Sequence, residues 1–166
     1  AFTYHAEPVD ATQVPRELTG FRTIFTAFHH LRPEQARAAL ADVVAKEEGI
    51  AIFECGRRSP LLMFLAGLST PVRVLLVTPF IRPFRWLRLF WTYLVPVVPL
   101  VLAFDTVVSC ARIYSEDEMR GLTVGLDRYD WNVGTAWRKR PPIPIPYLIG
   151  VPKPAEDRRL KPANLG

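Results

Sequence analysis

The stretch from Phe21 to Cys55, FRTIFTAFHHLRPEQARAALADVVAKEEGIAIFEC, restricts the fold of this chain more than any other. It reads as strand, helix, strand. Phe21 to Phe28 is short and rich in Phe, Ile and Thr, and Ile50 to Cys55 is a brief apolar run, so both suit buried strands. Between them Pro33 fits a first helical position and Glu34 the positive end of a helix, while Ala36, Leu40, Val43 and Val44 share one face at helical spacing. Gly49 is expected to stop that helix. A helix joining two apolar strands demands a parallel pair, and ligands of open parallel sheets gather at the carboxyl ends of the strands. His29, His30 and Glu54 are expected at those ends.

A chain of 166 residues with 49% apolar side chains suffices for one domain with a real core. Sixteen prolines, concentrated after Thr70, argue against a simple helical bundle. The net charge of +5 would suit anionic partners, but the Arg and Lys residues are scattered and no aromatic-rich motif accompanies them. No nucleic-acid partner is therefore expected. Cys55 and Cys110 lie far apart in apolar stretches with neither disulfide nor zinc spacing, which predicts reduced core thiols in a cytoplasmic protein. The start, AFTYHAEPVD, has neither the charge nor the apolar run of a signal peptide. It also lacks Met and opens on what reads as the tail of a strand, so the chain is expected to begin part-way through a domain.

Ahead of the central unit, PVDATQVPRELTG reads as a loop in which Asp10 caps a turn. After it, four prolines between Pro60 and Pro83 predict short helical pieces separated by bends. From Leu89 to Phe104 no residue is charged. Sixteen helical residues would span only about 24 Å, short of a hydrocarbon core of about 30 Å, and Pro96 and Pro99 would kink them. The preferred reading is a buried insertion covering a pocket. The alternative is a peripheral membrane contact in which Arg82, Arg85 and Arg88 meet headgroups beside Phe84, Trp86, Phe90, Trp91 and Tyr93. Asp105, Ser109 and Arg112 align on one helical face, as an internal ion pair or as the polar lining of a pocket.

Ser115 with Glu118 three residues on is a capping-box signature, opening a helix that should end near Gly125. Trp131 to Trp137 and Tyr147 to Val151 suit two antiparallel strands joined by a stiff proline-rich connection. The tail from Pro154 to Gly166 is polar and expected to fray. There is no GxGxxG, P-loop, GxSxG or HExxH. Adjacent His29 and His30 on a strand would point to opposite faces, which argues against a two-histidine metal site; no metal is expected. Glu54 has an ordinary role open to it as a partner of Arg57 or Arg58.

VDATQVP, FRTIFTAFHHL, PEQARAALADVVAKEEG and IAIFE, taken in order, resemble the middle of class I S-adenosylmethionine-dependent methyltransferases. In that family an acidic loop precedes a fourth strand ending in a His-containing motif, followed by a helix and a fifth strand. DWNVGTAW and PYLIGVPK are similar to its terminal antiparallel pair. The resemblance implies an α/β fold: a partial Rossmann-like sheet over residues 1–153 with parallel strands, a C-terminal antiparallel hairpin and an apolar helical insertion at about 57–114. It implies S-adenosylmethionine contacts at Asp10, Ala11, Thr26 and Ala27, a catalytic role for His29 or His30, and a small, apolar or amphiphilic methyl acceptor. Under the insertion, Glu54, Tyr93, Asp105 and Arg112 would contact that acceptor. The family's first strand, Gly-rich cofactor loop and ribose-gripping acid have no counterpart in this sequence, so weak cofactor binding and a chain inactive by itself are expected. The strand from Phe21 would then be an unpaired edge. A reading of another class remains open: a non-catalytic, membrane-peripheral or protein-binding module using residues 80–104. Neither reading assigns an oligomeric state.

Overall fold

A computed structural model describes residues 6–139 and 142–154. The frayed tail anticipated beyond Pro154, and the strand end anticipated at the very start, lie outside the described residues. The chain forms two compact units, Ala1–Cys55 with Ser115–Gly166, and Gly56–Tyr114.

The first unit is a mixed α/β sheet. β1 (Arg22–Phe25) pairs in parallel with β2 (Ile50–Phe53), from Arg22↔Ile50 to Phe25↔Phe53, and α1 (Pro33–Ala45) connects them. The chain returns through α5 (Glu116–Leu122) to β3 (Tyr129–Lys139) and β4 (Pro142–Pro152). The four strands lie in the order β1-β2-β4-β3, so the last strand enters antiparallel between β2 and its own hairpin partner. Among the described residues β1 is a free edge, as anticipated.

Residue chemistry explains α1. Pro33 starts it, the Gln35 carboxamide accepts a bond from the Arg32 amide at 3.1 Å, and Ala36, Ala39, Leu40, Val43 and Val44 form the buried stripe. The helix ends at Ala45 rather than Gly49, and Glu47 takes the left-handed conformation (φ 56°) usually left to glycine. Gly49 is needed for another reason: a Cβ there would come within 2.4 Å of the Phe21 ring. Ile50, Ile52 and Leu148 project from one face of the sheet and are fully buried. The Tyr129 hydroxyl sits between the carbonyls of Val43 (3.0 Å) and Glu48 (2.7 Å), fastening β3 to the end of α1. Arg22 binds Asp42 and Glu48, each at 2.7 Å, and Lys46 binds Asp42 at 2.6 Å.

The capping box forms as read: the Glu118 amide donates to Ser115 Oγ (3.2 Å) and the Ser115 amide to Glu118 Oε2 (2.8 Å). The proline-rich connection does not form as read. Pro142, Pro144 and Pro146 belong to β4 itself. The Pro146 carbonyl accepts a bond from the Glu54 amide at 2.9 Å, which shows that even-numbered residues of β4 turn their backbone groups toward β2. The missing N–H groups thus all lie on the side away from β3, and the ladder to β3 stays intact from Lys139↔Pro142 to Tyr129↔Pro152.

The second unit is helical: α2 (Pro60–Val77), α3 (Trp86–Leu89) continued by a π-helical turn at Phe90–Leu94, and α4 (Val97–Arg112). α2 and α4 pack antiparallel, since Gly67 meets Val107, Thr70 meets Thr106, and Val74 and Thr78 share a cleft with Val98 and Leu102. Two expectations are corrected here. The region after Pro60 is one 18-residue helix that runs through Pro71, with the Thr70 and Ser69 hydroxyls donating to the Ala66 carbonyl (2.8 and 3.1 Å) in the turn before it. The stretch from Leu89 to Phe104 kinks beside Pro96, as its prolines suggest, turning by 73° before α4, but it is not buried: Phe90, Leu94, Leu100 and Phe104 are exposed.

Candidate functional site

β1 ends earlier than its composition suggests, because Thr26 turns left-handed (φ 48°) while its amide still donates to the Phe53 carbonyl at 2.8 Å. The chain then enters a short 3₁₀ turn, Phe28–His30. This overturns the premise that His29 and His30 alternate across a strand. On the turn their rings lie 4.3 Å apart and tilted by 36°, His29 buried and His30 exposed. Among the described residues no group of three metal-binding side chains includes them.

Phe28 is fully buried and anchors the turn, so His29 points inward against Glu54 at the end of β2. Glu54 Oε1 accepts the His29 backbone amide at 2.9 Å and Oε2 meets Nδ1 at 2.8 Å. Glu54 is 1% exposed. Its partner is therefore His29, not Arg57 or Arg58. A carboxylate oxygen at Nδ1 accepts the ring N–H and so favours the tautomer that carries its proton there. The same carboxylate also fixes the backbone of the turn that carries both histidines.

Thr26 and Glu54 meet at one cleft of about 360 Å³, lined also by Phe25, Phe53, Cys55, Arg138, Ile143 and Ile145. Register explains the walls. Phe25 and Phe53 are paired on the face opposite α1 and stack at 5.4 Å, and Ile143 and Ile145 project from the same face of β4 where it overhangs β2. Arg138, opposite Ile143 on β3, brings a cation to the rim. Sequence reasoning missed these residues. Cys55 was expected in the core, but β2 ends at Phe53 and leaves the thiol exposed; the one available signal was its position one residue beyond the acid expected to crown the strand.

Other expected site residues lie elsewhere. Asp10 closes a turn, accepting from the Thr12 amide and hydroxyl, each at 2.8 Å, and these bonds, the backbone one foremost, hold its carboxyl below the usual range. Asp10 and Ala11 are not among the residues lining the cleft, and neither is Ala27, which precedes the 3₁₀ turn. Tyr93, Asp105 and Arg112 belong to the helical unit. The Tyr93 hydroxyl donates to the Leu75 carbonyl. Asp105 and Arg112 are both exposed on α4, and no ion pair joins them among the described residues, so the internal pair read from their spacing does not form. No family model, curated protein or solved structure matches the chain.

Proposed function

We propose that the sheet unit is the acceptor-side part of an S-adenosylmethionine-dependent methyltransferase acting on a small, apolar or amphiphilic molecule. One observation carries the reading: β1 and β2 are parallel, and Thr26 to His30 and Glu54 crown the same ends of that pair beside an apolar cleft. The antiparallel strand docked on β2 adds support, since the resemblance implies a terminal hairpin after the two parallel strands.

The residues present fit the cofactor only in part. Thr26 and Ala27 stand exposed at the strand end, but Asp10 is already engaged by Thr12 and no Gly-rich turn accompanies them. The cofactor, when bound, supplies an electrophilic methyl group. This chain's contribution is positioning and exclusion of water. Phe25, Phe53, Ile143 and Ile145 take up an apolar acceptor, Arg138 meets any acidic head it carries, and His30, exposed on the turn that follows Thr26 and not itself part of the cleft lining, is the accessible imidazole for a proton that must leave. His29 and Glu54 act as positioning residues that hold the turn.

The test is methyl transfer from labelled S-adenosylmethionine by the product of the complete open reading frame. Replacing His30 by Ala should lower kcat about 10²- to 10⁴-fold, with recovery at high pH. Unchanged turnover removes His30 from the chemistry, and absence of any cofactor binding in calorimetry overturns the whole reading.

A further inference from the structure

The helical unit is built inside out for water. Where its two long helices meet, Gly67 faces Val107 and the Thr70 and Thr106 hydroxyls lie 3.2 Å apart, so a small residue and polar groups share the seam with Val74, Val98 and Leu102. Thr70, Thr78 and Thr92 are buried, and their hydroxyls, with that of Thr106, each donate to a carbonyl one turn back at 2.7–2.8 Å. Meanwhile Leu61, Phe64, Leu68, Leu76 and Phe104 are each more than 60% exposed. In water this arrangement leaves most of the apolar surface of α2 outside the seam. In hydrocarbon it is the expected one, because small residues allow close approach, hydroxyls must find partners within the protein, and leucines face the solvent.

From these observations we infer that α2 and α4 form a hairpin embedded in an anionic phospholipid bilayer. Within Pro60–Phe80 an 18-residue window has a mean hydropathy of 1.8 with only 11% of its residues buried. Eighteen helical residues rise about 27 Å, close to the hydrocarbon thickness. Charge marks both ends of the hairpin: Arg57, Arg58 and Arg112 at one, Arg82, Arg85 and Arg88 at the other, with Trp86, Trp91 and Tyr93 beside the second group. Such belts meet phosphate and interface. Between them stand two charges, Arg73 and Asp105. Arg73, about 6 Å from the end of α2, donates to the Thr70 hydroxyl at 3.4 Å beside the α2/α4 seam, a polar partner inside the protein. Asp105, exposed on α4, is the side chain that costs most in such a setting. The inference is independent of methyl transfer.

The full chain mixed with vesicles of phosphatidylcholine and 30% phosphatidylglycerol should float with them and stay bound through 1 M salt and alkaline carbonate washes. Lipids brominated along the chain should quench tryptophan emission, and a variant with Trp86→Phe and Trp91→Phe should lose that quenching. Leu68→Asp and Leu76→Asp, both at exposed positions, should lower partitioning about a hundredfold or more each with unchanged helical circular dichroism, while Asp105→Asn should raise it. Release by salt alone would reduce the contact to a peripheral one and overturn the inference. So would failure to float, or sedimentation of a discrete oligomer that ignores vesicles, which would make a second copy the occupant of the apolar faces.

Discussion

Glu54 is where the sheet unit is most sensitive to a single side chain. Its carboxylate is buried and satisfies two groups at once, the His29 amide at 2.9 Å and the His29 ring at 2.8 Å. Glu54→Ala leaves a buried N–H without an acceptor, opens a small cavity and frees the ring, a combined cost of about 3–5 kcal/mol. Glu54→Gln keeps one oxygen for the amide but turns an NH₂ toward Nδ1, forcing the other tautomer and losing one charge-assisted bond, about 1–2 kcal/mol. The two substitutions should therefore differ by about 2 kcal/mol. Urea denaturation at pH 7, followed by tryptophan emission in a Trp86→Phe, Trp91→Phe background, leaves the sheet tryptophans as reporters. Equal costs for the two variants, or a cost below about 0.5 kcal/mol for alanine, would refute the double-acceptor role.

Two further predictions concern the same unit. Burial raises the Asp42 carboxyl, but the bonds from Lys46 and Arg22 and their charges outweigh it and hold it below its ordinary value. A folded-state value lower than the unfolded one contributes stability above the unfolded value, about 3.9, that is lost as pH falls through the folded one. The gap in stability between the native chain and Asp42→Asn should hold constant above about pH 5 and close below about pH 4; a gap that persists to pH 2 would contradict the ion-pair account. Gly150 lies under the Trp131 ring, where an added Cβ would sit 2.2 Å from Cζ3, so Gly150→Ala should cost about 1–3 kcal/mol in the same urea assay and blue- or red-shift tryptophan emission by moving that ring.

The elements that were legible in the sequence are those whose signals are local. Pro33 at a helix start, the Ala36–Val44 stripe and the Ser115–Glu118 box each state their structure within a few residues, and the strand-helix-strand order makes the parallel pair nearly obligatory. The misread elements depend on partners elsewhere in the chain. Pro142, Pro144 and Pro146 forbid a central strand but permit one whose proline side is unpaired, and nothing local reveals which side that is. Pro71 signals a break, yet the helix runs through it, packed against α4 on both sides of the proline at Gly67 and Val74. The histidine pair was assigned strand geometry although Thr26 had already left the strand. Hydropathy also cannot tell a residue that faces a core from one that faces outward; the positions of Thr70 and Thr106 carry that information, and only as a pair.

The cleft and the proline pattern have a common cause. β2 stops at Phe53, and its last bond to β4 is the one from the Glu54 amide to the Pro146 carbonyl. Beyond that point β4 runs on for four residues, but the even positions, Pro142 and Pro144, have no N–H to offer a strand extended from β2. Pairing on that side would keep only the carbonyl half of each pair, whereas pairing to β3 keeps both, and a two-stranded ribbon overhangs the end of the parallel pair. The odd positions of that ribbon, Ile143 and Ile145, fall on the face of Phe25 and Phe53, and the space between them is the cleft above Glu54. A strand sequence without those prolines would let β2 and β4 zip further and close the gap. The alternation of proline and isoleucine is thus what keeps an apolar opening beside a buried carboxylate at the carboxyl ends of two parallel strands.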